Sequence, residues 1–95
     1  MSAYLIADVT VTNADQMAKY REWSTRAIQE HGAEVLVRGG KVVTLEDGWA
    51  PERLVVLKFQ DLAAAQAYYD SETYTHARQV REGAGFIRMV AVEGI

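Results

Sequence analysis

Cysteine is absent from this sequence, and the lone proline, Pro51, sits in a turn between two apolar stretches. Without cysteine there is no disulfide framework, no thiolate metal site and no thiol nucleophile. No run of Lys or Arg is present. Acids and bases are interspersed and sum to a net charge of −3, which argues against nucleic acid as a partner. No apolar stretch is long enough to span a bilayer. The opening "MSAYLIADVTVTN" has neither a basic leader nor an unbroken apolar core, so no membrane partner is expected and the cytoplasm is the expected location. The spacings of His, Asp and Glu suggest no zinc site, and there is no serine elbow. Gly39-Gly40 follows a strand but opens no helix, so it is not a phosphate loop. Neither a metal nor a cofactor is expected. Low-complexity segments, linkers and tandem repeats are missing as well.

What is present is largely apolar. Hydrophobic residues make up 49 % of 95 residues. That length allows one domain, residues 1–95, and a domain this small buries only a modest fraction of its surface. So large an apolar share raises the expectation that a second copy covers part of it.

The pattern along the chain is readable. "AYLIADVTVT" alternates as a strand does, with Leu5, Ala7, Val9 and Val11 on one face and Tyr4, Ile6, Asp8 and Thr10 on the other. Asn13 with Gln16 three residues later has the form of a capping box. A helix follows to about His31, stopped by Gly32, with Met17, Tyr20, Ala27 and Ile28 as its apolar stripe and Trp23 at the edge. "AEVLVR" reads as a second strand, interrupted by Gly39-Gly40 and resumed by "KVVTLE"; the glycines suggest a bulge or bend. "DGWAPE" reads as a turn and "RLVVLKF" as a third strand. "DLAAAQAYYD" is strongly helical. Ser71 is placed to cap a further helical segment, and "GFIRMVAVEG" is a last strand.

The order β-α-β-β-α-β predicts an α+β fold of the ferredoxin-like split β-α-β kind: an antiparallel sheet with the helices on one face. Strand 1 and the last strand carry apolar residues on both faces. A sheet that is apolar on both faces needs both covered, and the helices cover one.

Four stretches make the chain resemble the DUF1330 family, whose name marks a domain of unknown function. They are "YLIADVTVTN", "RGGKVVTLEDGWAPERLVVLKF", "AYYDSETY" and "VAVEG". The second is the most specific, with Trp49, Pro51 and Arg53 in the order W-x-P-x-R. The resemblance runs nearly end to end. It implies a dimeric α+β barrel, in which two ferredoxin-like subunits join through their sheets. One departure is visible: Glu72 stands where the family often has proline. The wider superfamily includes cofactor-free monooxygenases, lactone isomerases, dehydratases and haem-degrading enzymes, so the fold alone fixes no chemistry.

The candidate site residues follow from residue chemistry. Arg38 and Arg53 could hold a carboxylate or enolate by paired donors, and Trp49 could stack on a flat ligand. Alternatively Trp49 anchors its loop, Pro51 stiffens it and Arg53 pairs with Glu46. Asp8, inside a strand, could act as acid or base, or could simply be paired with Arg38 or Arg88. Tyr69, Tyr74 and Arg78 cluster around the second helix and could serve an oxyanion, or the tyrosines could be core. His31 suits a helix C-terminus. His76 could move protons near neutral pH, or lie on the surface.

The expectation is a homodimer whose barrel mouth, ringed by Arg38, Trp49, Arg53, Tyr69, Tyr74 and Arg78, binds a small anionic or aromatic molecule. Chemistry there would be cofactor-independent isomerisation, elimination or cyclisation through an enolate-like intermediate, with Asp8 or His76 moving protons. The alternatives are a cofactor-free monooxygenase and a non-catalytic dimeric binding or accessory module.

Overall fold

The computed structural model describes residues 1–95. The elements are β1 (Ala3–Val11), α1 (Ala14–Glu30), β2 (Glu34–Arg38), β3 (Arg53–Phe59), α2 (Leu62–Asp70), α3 (Glu72–Val80) and β4 (Gly85–Glu93). The strands form one sheet in the order β2-β3-β1-β4, and every pairing is antiparallel. This is the expected α+β, ferredoxin-like arrangement.

β1 is central, and its alternation decides the two faces of the sheet. Ala3, Leu5, Ala7 and Val9 are buried toward the helices, where they join Met17, Tyr20, Ala27, Leu57, Phe59, Tyr68, Tyr74 and Ala77 in the core. Tyr4, Ile6, Asp8 and Thr10 face the other way and are only partly covered. On that side Leu36, Val37, Val90 and Val92 are exposed, Val90 at 60 %. No helix is long and apolar enough to cross a membrane.

The caps are local and sequence-encoded. Asn13 Oδ1 accepts the Gln16 amide at 3.1 Å, as a capping box requires. The Gln16 side chain does not reach back to Asn13, however. It donates to the carbonyls of Val80 and Glu82 at 2.9 and 2.6 Å, tying the start of α1 to the end of α3. The backbone N–H of Asn13 is taken by Ala84 O instead, at 3.0 Å. Ser71 separates α2 from α3 without a proline. Its backbone is extended (φ −62°, ψ 155°), its Oγ accepts from Tyr74 N, and its hydroxyl donates to Tyr68 O. Glu72 then sits in the first turn of α3, where a negative charge suits the helix dipole.

One expected element does not form. Residues 41–46 are not a strand; β2 ends at Arg38, and the chain to residue 52 is an irregular connection. An extended segment needs a ladder partner, and β3 begins only at Arg53. Leu45 is consequently 90 % exposed and Val43 is exposed too. At the tip of the connection Asp47 (φ 56°) and Gly48 (φ 67°) are both left-handed, the combination a type I′ turn uses. The expected irregularity of strand 2 is real but lies earlier than Gly39-Gly40: the register slips between Val35 and Val37.

Candidate functional site

The α2 backbone lies closer over β1, β3 and β4, whereas α1 packs mainly on α3 and meets the sheet through Met17, Tyr20 and Ala27. Between α1 and the sheet is a cavity of about 700 Å³. It is a cleft open to solvent along one side, and its size falls in the range of ligand sites, roughly 300–1,000 Å³. Leu5, Ala7, Val9, Val55, Leu57 and Met89 line it from the sheet. From α1 the lining includes Met17, Tyr20 and Ile28 together with the small Ala18, Ser24 and Thr25. Arg21, Glu22, Arg38 and Arg53 also line it; all but the half-buried Arg53 are exposed and so mark the opening.

The backbone explains why two arginines meet there. Val35 pairs with Leu57, but after the slip Val37 pairs with Val56 and Arg38 with Val55. Leu36 is therefore an extra residue, and the bulge turns Arg38 onto the face shared with Val55 and Ala7. Uninterrupted alternation from Val35 would have put Arg38 on the opposite face. Bulges commonly re-aim a side chain in this way. Arg53 reaches the cavity across Gly39, whose φ is 68°. A Cβ at Gly39 would overlap the Arg53 guanidinium. Neither arginine forms an ion pair; the only ion pair in the chain joins Arg88 to Asp8. Arg53 is not paired with Glu46. Both guanidiniums are thus available to an anion.

The inner wall of the cavity is phenolic. Tyr20 and Tyr68 line it, and the Tyr20 hydroxyl lies 2.7 Å from that of Tyr74, within hydrogen-bond distance. Burial pushes all three phenols above their usual pKa of 10.0, and for Tyr74 the neighbouring Tyr20 adds to the effect. They are neutral hydroxyls at any physiological pH.

The other expected site residues are not in one ring. Asp8 and Trp49 lie on the open face, with the sheet between them and the cavity. Trp49 Nε1 donates to Asp8 Oδ2 at 3.3 Å and Arg88 Nη2 donates to the same oxygen at 2.9 Å. Those bonds, the Arg88 one first, lower the Asp8 pKa from 3.8, the opposite of what a general acid near neutral pH needs. Trp49 is held by this bond and by its carbonyl, which accepts from Thr44 Oγ1 at 2.8 Å; its side chain does not reach the cavity lining.

Tyr69 and Arg78 do meet, outside the cavity lining; Tyr69 lines a second hollow, of about 430 Å³, between α2 and β4. The guanidinium lies 4.3 Å from the ring centroid, and Arg78 Nη1 donates to the Tyr69 hydroxyl at 3.3 Å. Tyr74 is wholly buried in the core. His76 packs edge-on against Trp23 at 4.2 Å, with Arg26 on the same indole at 4.4 Å, away from the cavity. His31 Nδ1 lies 3.0 Å from Ala27 O, at the end of α1. No three His, Asp or Glu side chains come together in a way that could hold a metal ion.

The sequence pattern placed Tyr20 in the apolar stripe of α1 and did not single out Glu22 or Ser24 as site residues. The available signal was a tyrosine and a serine four residues apart on an otherwise apolar helix stripe.

Solved structures of similar shape come from several bacteria. A protein of unknown function from Rhodopseudomonas palustris is 14 % identical, with a TM-score of 0.76, over 99 % of this chain and 82 % of that one. A dimeric ferredoxin-like protein of unknown function from Jannaschia sp. CCS1 is 17 % identical, with a TM-score of 0.73, over 99 % and 100 % of the two chains. A dimeric protein of unknown function and ferredoxin-like fold from Bacteroides fragilis is 10 % identical, with a TM-score of 0.59, over 98 % and 96 %. These likenesses concern the fold. No curated protein matches the chain. The family model described as a domain of unknown function, DUF1330, matches residues 2–95, and the chain belongs to that family.

Proposed function

We propose that this protein is a homodimer that binds a small organic anion with an apolar or aromatic body in the cavity between α1 and the sheet. The observation that carries the reading is the convergence of Arg38 and Arg53, neither of them ion-paired, on an apolar-walled space of about 700 Å³. A carboxylate would take the arginines, whose planar donors match its two oxygens, and the body would lie on Leu5, Ala7, Val55 and Leu57. The dimer rests on the open face, where Leu36, Val37, Val90 and Val92 are exposed beside Ile6. An apolar patch of this kind is what an interface covers. In this reading Asp8 is structural: it fixes Trp49 and Arg88 on the interface side.

The direct test is calorimetric titration of octanoate and benzoate into the wild-type protein and into Arg38→Met and Arg53→Met. Binding to wild type, weakened about tenfold or more in each variant, is the expected result, since a hydrogen bond to a charged group contributes about 1.5–3 kcal/mol. Equal binding to all three proteins would remove the arginines from the site.

A second reading, enolate chemistry in the same cavity, is favoured by one observation. Glu22 is the carboxylate in the lining that also holds the two arginines, and it is on the same helix as the neutral Tyr20 hydroxyl. Glu22 would take a proton from carbon while Arg38 and Arg53 hold the enolate oxygen. Cofactor-free oxygenation would draw on the same carbanion. Solvent deuterium exchange into phenylpyruvate tests the proton step: it should be faster with wild type than with Glu22→Gln, and equal rates would leave binding alone.

A further inference from the structure

The phenols of the inner wall are not equivalent. The Tyr20 and Tyr74 hydroxyls bond each other at 2.7 Å, and the Ser24 hydroxyl donates to Arg21 O at 3.2 Å. Tyr68 is held only by its ring and backbone. Its ring packs on Phe59 and Tyr74, with centroids 5.2 and 4.7 Å away, and His31 meets it edge-on at 6.0 Å. Its carbonyl accepts from Ser71 Oγ. No group in the chain bonds its hydroxyl, although the residue is only 2 % exposed. That oxygen is not walled in. The unpartnered side-chain atoms that are closed off are Arg78 Nε and Arg81 Nη1, and the Tyr68 oxygen is not one of them, so it keeps accessible surface. The space that Tyr68 lines is the cavity under α1. Burial holds its pKa above the ordinary value, so it offers a neutral O–H at physiological pH. A sequestered hydroxyl with no partner is uncommon in native proteins, and one that opens into a cavity is met by what the cavity holds.

From this we infer that the acid bound in this cavity carries a neutral oxygen, hydroxyl or carbonyl, at the end remote from its carboxylate, and that Tyr68 bonds it. The inference rests on the cavity being the acid's binding site. The two ends are set by β3: Arg53 begins that strand and Arg38 lies opposite Val55, whereas the Tyr68 ring packs on Phe59 at its other end. Val55 to Phe59 is about 14 Å of strand at ~3.4 Å per residue, room for a ring with a short acid arm and a hydrogen bond at each end. The exposed arginines stand at the opening and Tyr68 stands inside it, so the acid enters oxygen first and leaves its carboxylate at the mouth.

The test compares 3-(4-hydroxyphenyl)propanoate with 3-(4-methylphenyl)propanoate, which have the same shape and differ in the remote group. Calorimetry on the wild-type protein should show the hydroxy acid bound about fivefold tighter or more, since a site arranged to bond a hydroxyl rejects the analogue that leaves its own group unpaired. Tyr68→Phe should erase or reverse that preference while leaving the methyl acid within about threefold. The same variant should melt at or above the wild-type temperature, because the hydroxyl it loses has no partner in the chain. A methyl acid bound as tightly as the hydroxy acid by wild type, or a preference that survives Tyr68→Phe, overturns the inference. So does a marked loss of stability in Tyr68→Phe, which would mean that the hydroxyl is bonded within the fold. Failure of the cavity reading looks different: neither acid binds wild type, and the remote oxygen falls with it.

Discussion

The Arg53 guanidinium lies across the α-carbon of Gly39, so close that a methyl group there would overlap it. Gly39 also donates its amide to Leu54 O at 2.8 Å, which fixes its distance from β3. This glycine is therefore a seat for the arginine as well as a left-handed turn residue. Gly39→Ala should cost about 1 kcal/mol or more of stability, because its φ of 68° disfavours any side chain. It should also displace Arg53 and weaken octanoate binding severalfold. Chemical denaturation and calorimetry on the same variant check both effects. Unchanged affinity would mean that Arg53 holds no ligand.

The Tyr20 and Tyr74 hydroxyls should behave as a coupled pair. Removing the Tyr20 hydroxyl leaves that of Tyr74 buried without a partner, so Tyr20→Phe should cost about 1–3 kcal/mol. Removing both, in Tyr20→Phe with Tyr74→Phe, should cost less than the sum of the single changes. A double-mutant cycle measured by urea unfolding reads the difference. Simple additivity would mean that the 2.7 Å contact carries no energy.

The same phenols set an alkaline limit. The folded pKa values of Tyr20, Tyr68 and Tyr74 lie above the ordinary 10.0. The unfolded chain can ionise them first, so their contribution is intact below pH 10 and is lost as the pH rises beyond it. Asp8 has the opposite sign. Its folded pKa is lowered from 3.8, so its contribution is present above that pH and is lost as the pH falls through the folded value. These groups therefore add no pH dependence to stability between about pH 5 and 9. Phenolate absorbance should rise together with unfolding above pH 10; three phenolates appearing while the fold persists would contradict the buried arrangement.

The open face should control assembly. Ile6 sits at its centre, opposite Val56 on one side and Val90 on the other. Ile6→Glu should give a monomer by sedimentation at micromolar concentration without unfolding, because the side chain does not point into the core. Trp49→Ala should weaken the dimer less, since Trp49 is 57 % exposed and hydrogen-bonded only at its edge. Wild type sedimenting as a monomer at that concentration would remove the shared-barrel expectation.

Most of the fold was legible in the sequence, because alternation in β1 and caps at Asn13, Asp61 and Ser71 are local signals. The strand expected at residues 41–46 was not: "KVVTLE" has strand-like residues, and only the absence of a facing strand rules it out. The site was legible in composition but not in place. Arg38 and Arg53 were recognisable as a candidate anion-binding pair, yet the bulge at Leu36, invisible in the pattern of apolar residues, decides that Arg38 faces the helices beside Arg53. Asp8 was readable as a strand acid with an arginine partner. Its separation from the arginine pair follows from the pleat, which sets Asp8 on the face opposite Ala7 and Val9. Tyr69 and Arg78 were close in sequence and are close in space, but neither lines the cavity that Arg38 and Arg53 share.

The most direct measurement is a crystal structure of the protein purified from its own cells without ligand exchange. The account predicts density for an organic anion in the cavity, with an oxygen pair against Arg38 and Arg53 and an apolar body along Leu5 and Ala7. α1 resting on the sheet, with the space closed by the chain's own side chains and both arginines turned to solvent, would contradict it.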